Sequence, residues 1–225
     1  MIFIDPKLWQ VASKKPAGDY VVDDIVQLRE NLVPVDYIVV HQGLPSSMYD
    51  ASCDGTWLLR KDIAENRSLD SGNSNVLETS DIQAYLNGDW MNRYDPDVVQ
   101  AIKQVKIPYC VGGGSATVNS GANGLSCKIF LLSGKEVGWD SIDNRYFPND
   151  GAKLAYFLDG TGSSANQKRV ATLNGRADLW WLRSPYADYA NYVWRVSSNG
   201  VYSYWFASNS HGVRPALVLP SDFRI

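Results

Sequence analysis

The sequence predicts an α+β fold made of short helices, twisted antiparallel sheets and long loops. Short β-branched and aromatic runs cluster towards both ends of the chain, two capped helical stretches fall between about 80 and 105, and polar stretches rich in Gly, Ser and Asn separate the elements.

Taken in order, residues 1–18 hold two prolines, a Lys-Lys pair and the apolar points Phe3, Leu8 and Trp9. They read as an arm that docks on a partner, or as a first strand and loop of the same domain. Residues 20–28 and 35–40, bounded by Asn31 and Pro34, read as a hairpin, and 56–59 as a third strand. Ser80-Asp81-Ile82-Gln83 is a capping box, with Asn87-Gly88 as the stop. Asp95-Pro96 starts a second helix with an apolar stripe at Val98, Val99, Ile102 and Val105. Strands at 107–110 and 128–132 flank a Gly/Ser/Asn stretch, 112–124, which has no lysine and reads as a flexible connector rather than a phosphate cradle. Residues 158–168 read as a second polar loop. Four strand-like runs follow, at 180–183, 192–196, 201–206 and 213–219, and Asn199-Gly200 between two of them is the strongest hairpin signal in the chain.

The bulk composition removes several function classes. The 225 residues are 45% hydrophobic and 20% charged, which suits a globular domain. A net charge of -3 gives no basic surplus for nucleic acid. No apolar run approaches the roughly 18 residues of a membrane span, and the N-terminus lacks the pattern of a secretory signal. Three cysteines, at 53, 110 and 127, form neither a disulfide framework nor a zinc pair. The expectation is reduced thiols in a protein folded in a cytoplasm, with no membrane insertion.

Trp180-Trp181-Leu182-Arg183-Ser184-Pro185 and Gly212-Val213-Arg214-Pro215-Ala216-Leu217 bracket the C-terminal third. The pair resembles an uncharacterised family of phages and Gram-positive gut bacteria. His41-Gln42-Gly43, Tyr49-Asp50, Gly55-Thr56-Trp57-Leu58-Leu59, Tyr85-Leu86-Asn87, Lys106-Ile107-Pro108-Tyr109 and Phe130-Leu131-Leu132-Ser133 match it too, so the resemblance covers about residues 20–221. Those domains look like the C-type-lectin-fold branch that includes formylglycine-generating enzymes and the variable proteins of diversity-generating retroelements. The resemblance implies a C-type-lectin-like domain over 19–225. Its first and last strands would pair, so 20–28 and 213–219 would share a sheet, and the excursion 186–211 would be the ligand face. It also implies that Trp180, Trp181 and Arg214 are scaffold; Arg183 and Arg214 would each bridge a buried carboxylate.

Composition makes that excursion unusual. Tyr186, Tyr189, Tyr192, Tyr202 and Tyr204, with Trp194 and Trp205, fall within twenty residues. Tyrosine brings large contact area at low entropy cost, which recognition surfaces favour and cores do not need. With Asp188, Asn191, Ser198, Ser208 and Asn209 these residues form the candidate ligand-binding set. The competing reading is aromatic packing between strands. No catalytic residue, metal or cofactor is expected. Formylglycine-generating enzymes use a late cysteine pair, and no Cys follows 127. His41 with Asp36 or Asp50 reads as a hydrogen-bonded structural residue rather than part of a triad. Asp140, Asp143, Asn144, Asn149 and Asp150 are the densest oxygen cluster, a candidate structural cation site. The reading is a non-catalytic receptor-binding protein of a phage or prophage virion, on the tail or another exposed position. It would bind a host-surface protein or glycan, contact other virion proteins through the arm, and act as a homo-oligomer. The runner-up is a structural assembly protein using the aromatic face as a subunit interface.

Overall fold

The computed structural model describes residues 14–139 and 146–225. Residues 1–13 of the expected arm lie outside it. Residues 14–18 lie along the chain's own C-terminus: Pro16 bridges Arg224, the Ala17 amide donates to the Phe223 carbonyl at 2.7 Å, and Ala17 is buried.

The first hairpin follows from its turn. β1 (Ile25–Glu30) and β2 (Val33–Gln42) pair antiparallel up to Glu30 opposite Val33. Between them Asn31 and Leu32 take φ of 51° and 66°. Two consecutive positive values make the mirror-image turn whose twist matches the strands. Pro34 sits inside β2, where it faces Arg29 of β1, while β3 (Thr56–Arg60) first meets β2 at Tyr37. The missing amide therefore costs no ladder bond. After β4 (Glu65–Ser68), Ser80 Oγ accepts from the Gln83 amide at 3.3 Å and opens α1 (Asp81–Leu86). Pro96 occupies the first turn of α2 (Pro96–Ala101).

Val105 was expected on the α2 stripe but starts β5 (Val105–Ile107). The Lys103 amide is drawn to the Val218 carbonyl at 2.9 Å, which ends the helix early. The connector at 112–124 is a hairpin of β6 (Tyr109–Gly112) and β7 (Ser115–Asn119), turned by three glycines at positive φ. β8 (Leu125–Cys127) and β9 (Ile129–Phe130) follow. The polar stretch 158–168 holds most of α3 (Ser163–Arg169). β10 (Ala171–Leu173) and β11 (Arg176–Asp178) form a hairpin across Asn174-Gly175, again with both φ positive. The remaining strands are β12 (Trp180–Pro185), β13 (Tyr192–Val196), β14 (Tyr202–Phe206), β15 (Ser210–Val213) and β16 (Ala216–Leu219).

The result is mostly sheet with a few short helices, an α+β arrangement of open sheets. One five-stranded sheet runs β1-β2-β3-β16-β9 and the other β14-β13-β12-β15-β4, with only β12 and β15 parallel within them. The expected strand at 213–219 is two strands in two sheets. The chain crosses over at Arg214-Pro215, where the proline has no amide to offer either ladder. β1 and β16 do share a sheet, but β2 and β3 lie between them, so the two ends of the fold do not pair directly.

Arg183 and Arg214 differ in what they bind. Arg183 is buried against Glu136 through Nη1 at 2.5 Å and Nη2 at 2.7 Å, and its other three N–H groups go to the carbonyls of Pro108, Leu131 and Asp150 at 3.0 Å each. Glu136 also accepts from Tyr49 Oη at 2.7 Å and the Ser133 amide at 2.8 Å. Among the described residues Arg214 has no carboxylate partner. It donates to the Arg60 and Lys61 carbonyls at 2.9 Å, with its guanidinium 4.8 Å from the Trp180 ring centre. Trp180, Trp181 and Arg214 are all buried, as scaffold residues would be.

Asp150 sits beside this network. Its Oδ1 accepts from Ser184 Oγ at 3.0 Å and its Oδ2 has no partner among the described residues. Burial pushes its pKa up to about 6, against the pull of Arg183. Between about pH 4 and 6 the folded chain holds a proton that the unfolded chain has released, so stability from this group falls as pH rises through that window. Asp150→Asn keeps an acceptor for Ser184 and removes the charge. It should melt several degrees higher than the wild type at pH 7.5, with the advantage gone at pH 4, as about two pKa units correspond to roughly 3 kcal/mol. An equal or lower melting temperature at pH 7.5 would show that the carboxylate is ionised at no net cost.

Candidate functional site

The aromatic set is carried by the β13–β14 hairpin and the loop 186–191 that feeds it. The hairpin register places Tyr192 opposite Phe206, Trp194 opposite Tyr204 and Val196 opposite Tyr202, all on one face. Arg195 opposite Ser203 and Val193 opposite Trp205 lie on the other. Gly200 in the hairpin turn has φ of 81°, and a Cβ there would stand 2.0 Å from the Asn166 carbonyl of α3, so the hairpin tip is seated on that helix.

On the first face the rings form a layered cluster. Tyr186 stacks on Trp194 at 4.9 Å and on Tyr146 at 4.7 Å, and meets Tyr204 at 4.4 Å. Tyr192 packs on Phe206 at 4.5 Å and on Tyr189 at 5.8 Å. Exposure then divides the expected ligand set. Tyr189, Tyr202, Tyr204 and Trp205 are 41–46% exposed, while Tyr186 and Tyr192 are half-buried. Trp194 is only 1% exposed; it floors the cluster, with its Nε1 donating to the Tyr146 carbonyl at 3.0 Å. Its expected role as a surface contact is corrected to that of a support, because the rings of Phe147, Tyr186, Tyr202 and Tyr204 pack against it. Asp188, Ser208 and Asn209 are exposed and Asn191 half-buried near one end of the hairpin. Ser198 is exposed at the opposite tip, about 15 Å away by strand rise, so it does not join them.

Three residues at this site carried no signal in the sequence. Asn75 is buried, and its Nδ2 donates to the carbonyls of Tyr189 at 2.6 Å and Tyr192 at 2.8 Å while its Oδ1 accepts from the Gly113 amide at 2.7 Å. It ties the aromatic loop to the β6–β7 turn. Asn75→Ala should cost about 1–3 kcal/mol and loosen the 186–192 loop, because the Tyr189 carbonyl and the Gly113 amide lose this partner and the Tyr192 carbonyl is left with the Tyr186 amide. Hydrogen exchange at the amides of that loop as slow as in the wild type would disprove it. The second is Tyr146. The third is Arg195, whose Nε donates to Ser203 Oγ at 2.9 Å and whose Nη1 donates to the His211 ring.

His41 Nδ1 accepts from the Ala155 amide at 3.2 Å, a structural bond. The three thiols are buried, and burial pushes them up to about 11, 11 and 12 for Cys53, Cys110 and Cys127. No group of three or more His, Cys, Asp or Glu among the described residues is placed to hold a metal. Asp140, Asp143 and Asn144 of the expected cation cluster lie outside the described residues. No helix among the described residues is long and apolar enough to cross a membrane.

Residues 54–221 match a family described as a domain of unknown function, DUF6273. The chain belongs to this family. The DUF6273 segment takes in β3 to β16, hence the whole aromatic hairpin and both Trp-Trp-Leu-Arg and Val-Arg-Pro segments, while β1 and β2 precede it. No curated protein and no solved structure matches the chain.

Proposed function

We propose that this chain is a non-catalytic ligand-binding protein whose binding face is the aromatic hairpin. The supporting observation is the row of exposed rings, Tyr202, Tyr204, Trp205 and Phe206, on the edge strand β14. Exposed edge strands normally carry charge or proline, and contiguous exposed apolar surface marks an interaction site. A cleft of about 420 Å³ follows this strand, lined by rings from both of its faces. The setting we infer is a phage or prophage virion, with the domain at the tail or another exposed position binding a host-surface protein or glycan as a homo-oligomer. A C-type-lectin-like fold fits the placement of β1 and β16 in one sheet and the long excursion between the Trp-Trp-Leu-Arg and Val-Arg-Pro segments. Whether the segment encoding 186–211 is diversified by a retroelement is read from the gene's neighbourhood.

The test is saturable binding of the purified chain to intact cells of Gram-positive gut bacteria, lost on Tyr204→Ala. The assembly reading instead predicts no cell binding and a stable complex with another virion subunit through the same face.

A further inference from the structure

The geometry points to an acidic sugar as the ligand class of the cleft along β14, with Arg195 gripping its carboxylate and the Trp205 ring stacking on the pyranose. This rests on the binding-face reading above and narrows it.

Arg195 carries the argument. It lines the cleft together with Tyr186, Trp194, Tyr202, Ser203, Tyr204 and Trp205. Its guanidinium is half-buried and lies 5.1 Å from the Trp205 ring centre. Its hydrogen-bond partners among the described residues are neutral: Ser203 Oγ, and the His211 ring, which burial and Arg195 itself hold down to a pKa of about 4. No carboxylate lies within ion-pair distance of it among the described residues, whereas Arg60, Arg67, Arg93 and Arg183 all have one. Nη2 makes no hydrogen bond there either. A half-buried arginine held by neutral partners in a cleft is a ready anion site, and the planar guanidinium matches a carboxylate. Burial draws its pKa down with no acidic neighbour opposing.

The rest of the lining selects a sugar over an acidic peptide. It holds three phenol hydroxyls and one serine hydroxyl but no acid or amide side chain. Hydroxyls that both donate and accept suit a ligand carrying several hydroxyls of its own. The electron-rich ring face of Trp205, on the same face of the hairpin as Arg195, suits the polarised C–H face of a pyranose. The ligand so described is a pyranose bearing a carboxylate, as in uronic and sialic acids.

A panel of oligosaccharides terminated by glucuronic, galacturonic or sialic acid, each beside its neutral counterpart, tests this, with polyglutamate as the peptide probe. Binding is read by tryptophan fluorescence and calorimetry. The acidic sugars should bind, weaken with added salt, and lose at least tenfold in affinity on Arg195→Gln with little change in melting temperature. Trp205→Ala should weaken them without touching the His211 contact. Equal binding of the neutral sugars, binding of polyglutamate alone, or an unaffected Arg195→Gln would overturn the inference. If cells are bound through Tyr204 but no acidic sugar is, this inference fails alone. If acidic sugars are bound and intact cells are not, the host-recognition reading fails alone.

Discussion

Arg183→Met should lower stability by about 3–5 kcal/mol. The reason is what is left behind. With the guanidinium gone, Glu136 is a fully buried carboxylate whose donors among the described residues are Tyr49 Oη and the Ser133 amide. The carbonyls of Pro108, Leu131 and Asp150 also lose their donor. Breaking a buried pair from one side costs that much because the desolvated partner charge is uncompensated. For a chain of this length the melting temperature should fall by about 6–20 °C. Glu136→Gln in the same chain should recover a large part of the loss, since it removes the stranded charge, and a double-mutant cycle measures the coupling. A melting temperature within about 2 °C of the wild type for Arg183→Met would mean that the network does not hold β12 to the 131–136 segment.

Local signals in the sequence carried the parts of this fold that depend on local chemistry. Ser80 caps α1 and Pro96 opens α2 where the residue types demand it. Asn199-Gly200 sits in the hairpin turn, but the same dipeptide at Asn174-Gly175 also turns a hairpin, and its short flanks, three residues each, gave no alternation to read. What a single sequence does not encode is which distant groups meet. Glu136 is an ordinary acid until the fold brings it against Arg183, 47 residues on. Asn75 reaches Tyr192 across 117 residues. Periodicity within 213–219 looked continuous because both halves are apolar, and only the sheet order shows that Arg214-Pro215 carries the chain from one sheet to the other. At the candidate site, density of tyrosine singled out the segment that carries the exposed rings, and pleat alternation put Trp194 and Tyr192 on one face. It did not say that Tyr186 and Phe147 come to lie over Trp194, which buries it, while Tyr204 on the edge strand stays open.

That distinction makes the hairpin its own control for the binding reading. Tyr204→Ala and Tyr189→Ala remove rings that are 42% and 44% exposed, so each should cost little in melting temperature. If they carry the interface, at least one should weaken binding to cells tenfold or more, because interface energy concentrates in a few aromatic residues at about 2 kcal/mol or more each. Trp194→Ala should behave in the opposite way. It empties a buried site under Tyr186 and leaves the Tyr146 carbonyl with the Ala187 amide as donor, a loss of about 3–5 kcal/mol in stability. Any binding it loses should track its unfolding, and return where the variant is folded at low temperature. Tyr186→Ala, half-buried between Tyr146 and Trp194, should show both effects at once. Thermal melts run beside cell binding separate the three patterns. If Tyr204→Ala and Tyr189→Ala melt as early as Trp194→Ala, the rings are packing and not a face. If both melt normally and bind normally, the partner is held elsewhere and the exposed edge of β14 has another use.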